Sequence, residues 1–254
     1  MFLFALWGCR PIVAPEDFNE LASFMYEHFD DAQYMEVSLA QMQVLLDERE
    51  EEFDKGYRLD NLSLEAIQTI EPNKNTVPDL LGISKSVDYH YPVSDIAYVN
   101  FAVHPKDVFE NPNAQNERWY IGDPDCFVRQ ECETLEYEAS LERSLPLNVV
   151  ATLYFHTNIR WVQTEYGPAI VQKRWLTDDP EINVDWLHLN AGYGLSMTLP
   201  SLTDDEVSKH IETIWGDIVL GDLPLPEDAA FLLATDVLQS LLMKFEIYLD
   251  EHPQ

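Results

Sequence analysis

The chain has 254 residues, of which 46 are acidic and only 15 are basic, so its formal net charge at pH 7 is −31. This charge disfavours direct binding to nucleic acid or to anionic membranes, because both present phosphate groups that need cations opposite them. With 46% hydrophobic and 12% aromatic residues, the chain can bury a substantial core, which excludes global disorder.

The first third of the sequence is predicted to be mostly helical after a short strand over residues 2–7. Residues 14–29 have apolar side chains at helical spacing, which predicts a first helix. Ser38 begins a capping-box pattern, which predicts a second helix over residues 38–55. Residues 63–70 are predicted to form a third, shorter helix that ends before a proline.

From Val87 onwards the hydrophobic period changes from helical to alternating, which predicts a meandering antiparallel sheet of about six to eight strands. The segment Tyr166-Gly167-Pro168 is typical of a hairpin turn between two of these strands. The strand candidates are residues 87–103, 118–121, 126–138, 147–157, 159–165, 169–176 and 185–199.

Two helices are predicted to close the chain. Residues 203–206 form a second capping box, which predicts a helix ending at about Trp215. Pro226 suits the first position of a long helix, and the segment that follows is apolar on more than one stripe as far as Leu249. Charged residues interrupt this helix, so it is not a membrane span, and we expect it to be a central element covered on most sides.

These elements predict an α+β protein in which an antiparallel sheet packs on the long C-terminal helix and the N-terminal third is helical. No Gly/Ser-rich linker divides the sequence, so residues 1–254 are predicted to form a single domain with a soft boundary near residues 72–80. Within it, residues 1–75 are expected to be mostly helical, 85–200 to form the sheet and 203–251 to be helical.

Three cysteines, at positions 9, 126 and 132, are too few for a disulfide scaffold and favour a reducing compartment, so a cytoplasmic location is expected. Cys126 and Cys132 lie in the strand predicted over residues 126–138. In a straight strand they would be about 20 Å apart, so no bridge between them is expected. The apolar start of the chain lacks a basic segment, which favours a buried strand over a signal peptide.

The sequence contains no local pattern of a catalytic or metal-binding site. Its seven histidines are scattered and show no zinc-binding spacing, and no phosphate-binding glycine loop occurs. A glycosidase-like pair of carboxylates is conceivable, but nothing distinguishes two of the 46 acidic residues. We therefore predict no metal and no other cofactor, and a protein that is not an enzyme.

The densest acidic cluster lies in the second predicted helix and motivates a first functional hypothesis. It consists of Glu48, Glu50, Glu51, Glu52 and Asp54. Like charges held close together repel one another unless a cation or a partner relieves them. In this hypothesis the chain is an acidic inhibitor that engages a basic surface of a partner protein, as a nucleic-acid mimic, a phage counter-defence protein or an immunity protein. A solvated helix face, general acidity or salt adaptation would explain the same charge without a partner.

Residues 143–199 are nearly neutral, with five acidic and four basic residues, and they are rich in aromatic side chains. This stretch is predicted to form the buried middle of the sheet, to line a pocket, or to present a self-association face in a homodimer. The aromatic residues concerned are Trp161, Trp175, Trp186, Tyr154 and Tyr193. The alternative function follows from the pocket: the sheet wraps around the C-terminal helix, as in helix-grip folds, and holds a small apolar ligand.

Overall fold

The computed structural model describes residues 12–108, 116–145, 148–204, 206–221 and 228–252. Its helices are α1 (Phe18–Glu27), α2 (Ala32–Lys55), α3 (Leu64–Gln68), α4 (Val93–Phe101), α5 (Pro105–Val108), α6 (Pro124–Val128) and α7 (Ala229–Glu251). Its strands are β1 (Tyr57–Leu59), β2 (Leu81–Tyr89), β3 (Asn116–Tyr120), β4 (Thr134–Leu145), β5 (Val149–Thr164), β6 (Gly167–Leu176), β7 (Glu181–Ile182), β8 (Leu187–Pro200) and β9 (Ser208–Leu220).

Within these residues nine strands form one antiparallel sheet, in the spatial order β1-β2-β9-β8-β6-β5-β4-β3 with β7 beside β5. The predicted α+β class, with a large antiparallel sheet, N-terminal helices and a long C-terminal helix, is confirmed. The predicted hairpin turn is also confirmed, since Thr164 pairs with Gly167 where β5 turns into β6. The strand predicted over residues 2–7 lies outside the described residues.

The two N-terminal helices cover one face of the sheet, which we call the outer face. Asp17 and Asp31 cap α1 and α2 by accepting hydrogen bonds from N–H groups of the first helical turns. The predicted start of the second helix at Ser38 is wrong, because Asp31 begins it earlier and Ser38 is buried inside it. The core on this face includes Phe18, Leu21, Met25, Leu39, Met42, Val171, Leu195, Met197, Ile211 and Trp215.

The segment 87–103, predicted as one strand, divides into the end of β2 and helix α4. Pro92 has no N–H to donate to a strand ladder, and it stands directly before the helix. After it, Val93, Ala97 and Phe101 recur at helical spacing and pack on the opposite side of the sheet, the inner face. The aromatic and β-branched residues of this segment favour a strand locally, which explains the wrong prediction.

The segment 126–138, also predicted as one strand, begins inside helix α6. Asp123 caps this helix, so Cys126 is helical. The chain then turns through Gln130, which adopts a φ of 58°, and this turn brings Cys132 back toward Cys126. Their Cα atoms are 5.4 Å apart and the sulfurs form a disulfide. The prediction of no bridge is therefore wrong, because it assumed a straight strand, and cysteine usage no longer supports a reducing compartment.

The helix predicted over residues 203–215 is wrong, since β9 occupies most of this segment. Asp204 does not cap a helix; its side chain and its carbonyl oxygen accept hydrogen bonds from the N–H groups of Glu206 and Val207 in a turn. From Ser208 onwards the chain pairs with β2 on one side and with β8 on the other. Two ladders of backbone hydrogen bonds outweigh a local capping pattern, and the β-branched residues of this segment suit a strand.

Helix α7 lies on the inner face beside β2 instead of at the centre of the protein. On the side that faces the sheet, Leu238 and Leu242 are buried, and Tyr89 of β2 donates a hydrogen bond to the carbonyl oxygen of Leu242. On the opposite side Leu232 is 61% exposed. The prediction that this helix is covered on most sides is therefore wrong, and its predicted start at Pro226 lies outside the described residues. No helix in the described part of the chain is long and apolar enough to cross a bilayer.

We predict that Leu238→Ala lowers the free energy of unfolding by about 2–5 kcal/mol, because it opens a cavity between α7 and the structure beneath it. Leu232→Ala is the matched control on the same helix, and it should change the stability by less than about 0.5 kcal/mol. Leu241 is half-buried, so Leu241→Ala should give an intermediate loss. Urea denaturation measures all three, and equal losses at positions 232 and 238 would contradict this packing of α7.

Candidate functional site

The inner face of the sheet carries charged residues at positions where a closed core would be apolar. Side chains alternate between the two faces along each strand, so residues that pair across strands share a face. One such row on the inner face consists of Tyr137, Thr157, Arg174, Gly194 and Ile214, from β4 to β9. Helix α4 packs on one part of this face and α7 lies along β2 at its side. We call the region around this row the inner-face site.

Arg174 and Glu212 form an ion pair in the middle of the inner face. Arg174 must cross β8 to reach Glu212 on β9, and Gly194 of β8 leaves the necessary space. A Cβ atom at Gly194 would lie 2.6 Å from Nε and 2.8 Å from Cγ of Arg174. Burial lowers the pKa of Arg174, although 27% of its side chain is exposed. The side chain of Arg174 is therefore largely surrounded by protein but still reaches solvent.

His210 extends this network along β9. Its Nδ1 lies 2.8 Å from Oγ1 of Thr198, and its Nε2 lies 3.5 Å from Oε2 of Glu212. Burial lowers the pKa of His210 to about 3, with a smaller contribution from Arg174, so the imidazole is neutral. The order Thr–His–Glu has the connectivity of a nucleophilic triad. Thr198 is only 1% exposed, however, so a ligand cannot reach its hydroxyl and the network is structural.

Two further arginines on the inner face lie near Arg174. Burial lowers the pKa of Arg143 on β4 to about 10, and the positive charges of Arg174 and Arg118 act in the same direction. The guanidinium of Arg118 on β3 lies 4.6 Å from the ring centroid of Tyr137 and donates a hydrogen bond to the carbonyl oxygen of Asn100 in α4. Three arginines thus lie on the inner face of a protein whose net charge is −31.

Apolar side chains surround these charged groups and remain half-buried. They are Phe155, Leu176, Leu189, Ile214 and Ile218. Gly192 and Gly216 pair directly beside them on β8 and β9. A Cβ atom at Gly192 would lie 2.9 Å from Leu176, and one at Gly216 would lie 3.1 Å from Ile218. The side chains of Leu176 and Ile218 therefore occupy the space directly above these two glycines. Because these positions carry no side chains of their own, Leu176 and Ile218 can pack closely against the backbone of β8 and β9.

The predicted acidic cluster lies on α2, away from the inner-face site, and most of its charges are paired within the chain. Glu50 accepts a hydrogen bond from Lys209, Glu51 pairs with Lys55, Glu52 pairs with Arg49, Asp54 accepts a hydrogen bond from Ser86, and Glu48 is exposed. The hydrogen bond from Lys209 lowers the pKa of Glu50. Helix α2 is also kinked at Arg49, which interrupts the regular spacing of the cluster. Internal pairing therefore relieves the repulsion that motivated a partner.

The five aromatic residues singled out in the sequence occupy different surroundings. Trp161 is buried on the inner face and its indole N–H donates to a backbone carbonyl oxygen at 2.8 Å. Tyr154 bonds to a side chain of β7, and Trp186 is half-buried before β8. Trp175 and Tyr193 come together on the outer face, where they line an open pocket of about 560 Å³.

Sequence reasoning missed the residues of the inner-face site, namely Arg118, Arg143, Arg174 and Glu212. The available signal was a charged residue at an alternating position inside a strand, and such a residue is far more often exposed to solvent than buried. Their common location follows only from the cross-strand register.

In the part of the chain that the structure covers, no group of three or more His, Cys, Asp or Glu residues could hold a metal ion.

No protein-family model matches the chain, and no curated protein matches it. Among solved structures it is similar to a START superfamily protein from Mycobacterium smegmatis, with a TM-score of 0.42, 13% identity, and coverage of 67% of this chain and 97% of that chain. It is also similar to norcoclaurine synthase from Thalictrum flavum in complex with dopamine and hydroxybenzaldehyde (TM-score 0.38, 13% identity, 69% and 89% covered). A protein from Thermus thermophilus matches with a TM-score of 0.38 and 10% identity, over 68% of this chain and 99% of that chain.

The interpretation of the chain as a nucleic-acid-mimicking inhibitor that binds a basic partner is wrong. The acidic cluster that carried the interpretation is largely engaged in ion pairs and hydrogen bonds inside the chain.

We predict that His210 does not titrate between about pH 4 and 8, because burial holds its pKa at about 3. Between pH 3 and its ordinary pKa of 6.5 the unfolded chain binds a proton at His210 that the folded chain does not, so acidification through this window lowers the stability. Histidine ring NMR measures the titration, with His210→Gln to assign the signal. His90 is the internal control, since its hydrogen bond to Glu246 raises its pKa. A His210 midpoint near 6.5 would contradict the buried network.

Proposed function

We propose that the protein binds a small, largely apolar ligand at the inner-face site, between α7 and strands β5, β6, β8 and β9. The observation that carries this proposal is the half-burial of five large apolar side chains on a face flanked by helices: Phe155, Leu176, Leu189, Ile214 and Ile218. Each methylene removed from water contributes about 0.8 kcal/mol, so a ligand that completes their burial would be stabilised there. A concave surface with apolar walls and a few polar groups is typical of small-molecule sites.

The helix-grip arrangement supports the same site. Helix α4 packs on the inner face through Val93, Ala97 and Phe101, and helix α7 lies along β2 beside it. The outer-face pocket at Trp175 and Tyr193 suits an apolar ligand less well, because Glu71, Asp178 and Asp179 also line it. We propose binding and not a chemical step, since the hydroxyl of the Thr198–His210–Glu212 network is inaccessible to a ligand.

The test uses N-phenyl-1-naphthylamine, a neutral apolar dye whose fluorescence rises when it leaves water. We expect protein freed of co-purified lipid to bind the dye. We expect Ile214→Trp to weaken binding about tenfold or more, because the indole fills the site. Val219→Trp is the matched control, since Val219 lies on the same strand and is 45% exposed on the outer face.

Thermal melts show whether both variants remain folded. Dye binding that is absent from the parent, or that both variants weaken equally, would contradict a ligand site on the inner face.

A further inference from the structure

We propose that the open pocket on the outer face is a second binding site, which takes an organic ammonium ion. The pocket lies on the opposite side of the sheet from the inner-face site, so this inference does not rest on the proposed function. Its volume of about 560 Å³ is within the range of small-molecule sites. The lining combines aromatic rings with carboxylates, and it includes Trp175, Tyr193, Glu71, Asp178 and Asp179.

The two aromatic rings are held in place at this pocket. Trp175 and Tyr193 pair directly across β6 and β8, so their side chains share the outer face. His156 stacks on Trp175 with ring centroids 4.5 Å apart, and its Nε2 lies 2.9 Å from the carboxylate of Glu136. Trp175 nevertheless remains half-buried. An indole ring that is fixed and still accessible attracts a cation through its π face.

The charges that line the pocket do not balance. Lys74 is the only cation among the described lining residues, and its Nζ lies 3.0 Å from Oε2 of Glu71. The hydroxyl of Tyr193 donates a hydrogen bond to Oε1 of the same carboxylate at 2.6 Å. Lys74 therefore offsets the charge of Glu71. No further cation among these lining residues offsets the charges of Asp178 and Asp179.

Asp178 and Asp179 lie in the short segment between β6 and β7. Thr177 attaches this segment to the sheet, because its N–H donates a hydrogen bond to the carbonyl oxygen of Tyr154 at 3.0 Å. The hydroxyl of Thr177 also donates to Asp178 at 3.1 Å. Both carboxylates are exposed, so an ammonium group can reach them from solvent. The attraction between exposed charges is modest and weakens as the ionic strength rises.

Apolar surface beside the carboxylates suits the rest of such a ligand. Ile70, Trp175 and Ala191 are half-buried, pack against the outer core and line the pocket. A bare metal ion would leave this apolar surface uncovered, and an anionic ligand would meet like charges. A cation with an alkyl or aryl part matches both the carboxylates and the apolar wall.

The test is an NMR titration of the indole N–H signals with cyclohexylmethylamine, which is an ammonium ion at neutral pH, and with its neutral analogue cyclohexylmethanol. The chain has six tryptophans, and Trp175→Phe assigns the signal of Trp175. We expect the amine to shift this signal and to bind about tenfold more tightly than the alcohol. Trp161, which is buried on the inner face, is the reference and should not shift. Added salt should weaken binding of the amine but not of the alcohol.

The variant Asp178→Asn/Asp179→Asn removes both charges and preserves the shape of the side chains. We expect it to bind the amine about tenfold more weakly, so that the amine and the alcohol bind alike. The matched control is Glu117→Gln/Glu165→Gln, which removes two exposed charges on β3 and in the β5–β6 turn. It lowers the net negative charge equally and should change the affinity by less than about twofold.

Three outcomes would overturn the inference. If the alcohol binds as tightly as the amine, the pocket does not select a cation. If the control variant loses as much affinity as Asp178→Asn/Asp179→Asn, general attraction to an acidic protein explains the binding. If the amine leaves the signal of Trp175 unchanged, it does not occupy the outer-face pocket. None of these outcomes bears on dye binding at the inner-face site, so the proposed function fails or stands separately.

Discussion

The pairing of β9 with both β2 and β8 is the constraint on which the rest of the structure depends. β2 and β9 are far apart in the chain, so their ladder joins the helical N-terminal part to the strands that follow. The same register brings Glu212 within reach of Arg174. A slip of one residue would turn Glu212 to the outer face and would turn Ile211 and Trp215 inward. The outer core and the inner-face site therefore depend on one register.

The fold class could be predicted from the sequence because it depends on periodicity. The apolar spacing of α1 and α2 and the alternation in β6 and β8 survive in the structure almost unchanged, while the strands predicted over residues 147–157 and 159–165 join into the single strand β5. The wrong predictions lie where a local sequence pattern favours one structure and contacts with residues distant in the sequence favour another. The capping pattern at Asp204 is a good helix start in isolation, yet β2 and β8 offer the following residues two strands to pair with. Cys126 and Cys132 meet because α6 and the turn at Gln130 replace a strand.

The site was less predictable than the fold. The acidic cluster on α2 is the most conspicuous feature of the sequence, but a count of charges does not show that Lys209 of β9 pairs with Glu50. Arg174 is one of 15 basic residues, and its role depends on Gly194, which lets its side chain cross β8. Arg174 and Gly194 become neighbours only when β6 pairs with β8, so the sequence of neither strand alone predicts their contact.

The buried charges also bear on why the inner face is built in this way. A buried arginine–glutamate pair adds little net stability, and well-packed apolar residues in its place are often as good or better. The sequence nevertheless places Arg118, Arg143, Arg174 and Glu212 on this face, and Gly194 gives the side chain of Arg174 the room to reach Glu212. We propose that recognition of a ligand, and not a gain in stability, accounts for these charges.

The central claim is that a ligand occupies the inner face between α7 and the sheet. A crystal structure of the protein with bound N-phenyl-1-naphthylamine tests it most directly. We expect electron density for the aromatic rings of the dye along Phe155, Leu176 and Ile214. Density for the ligand in the outer-face pocket at Trp175 and Tyr193, with the inner face unoccupied, would contradict the account.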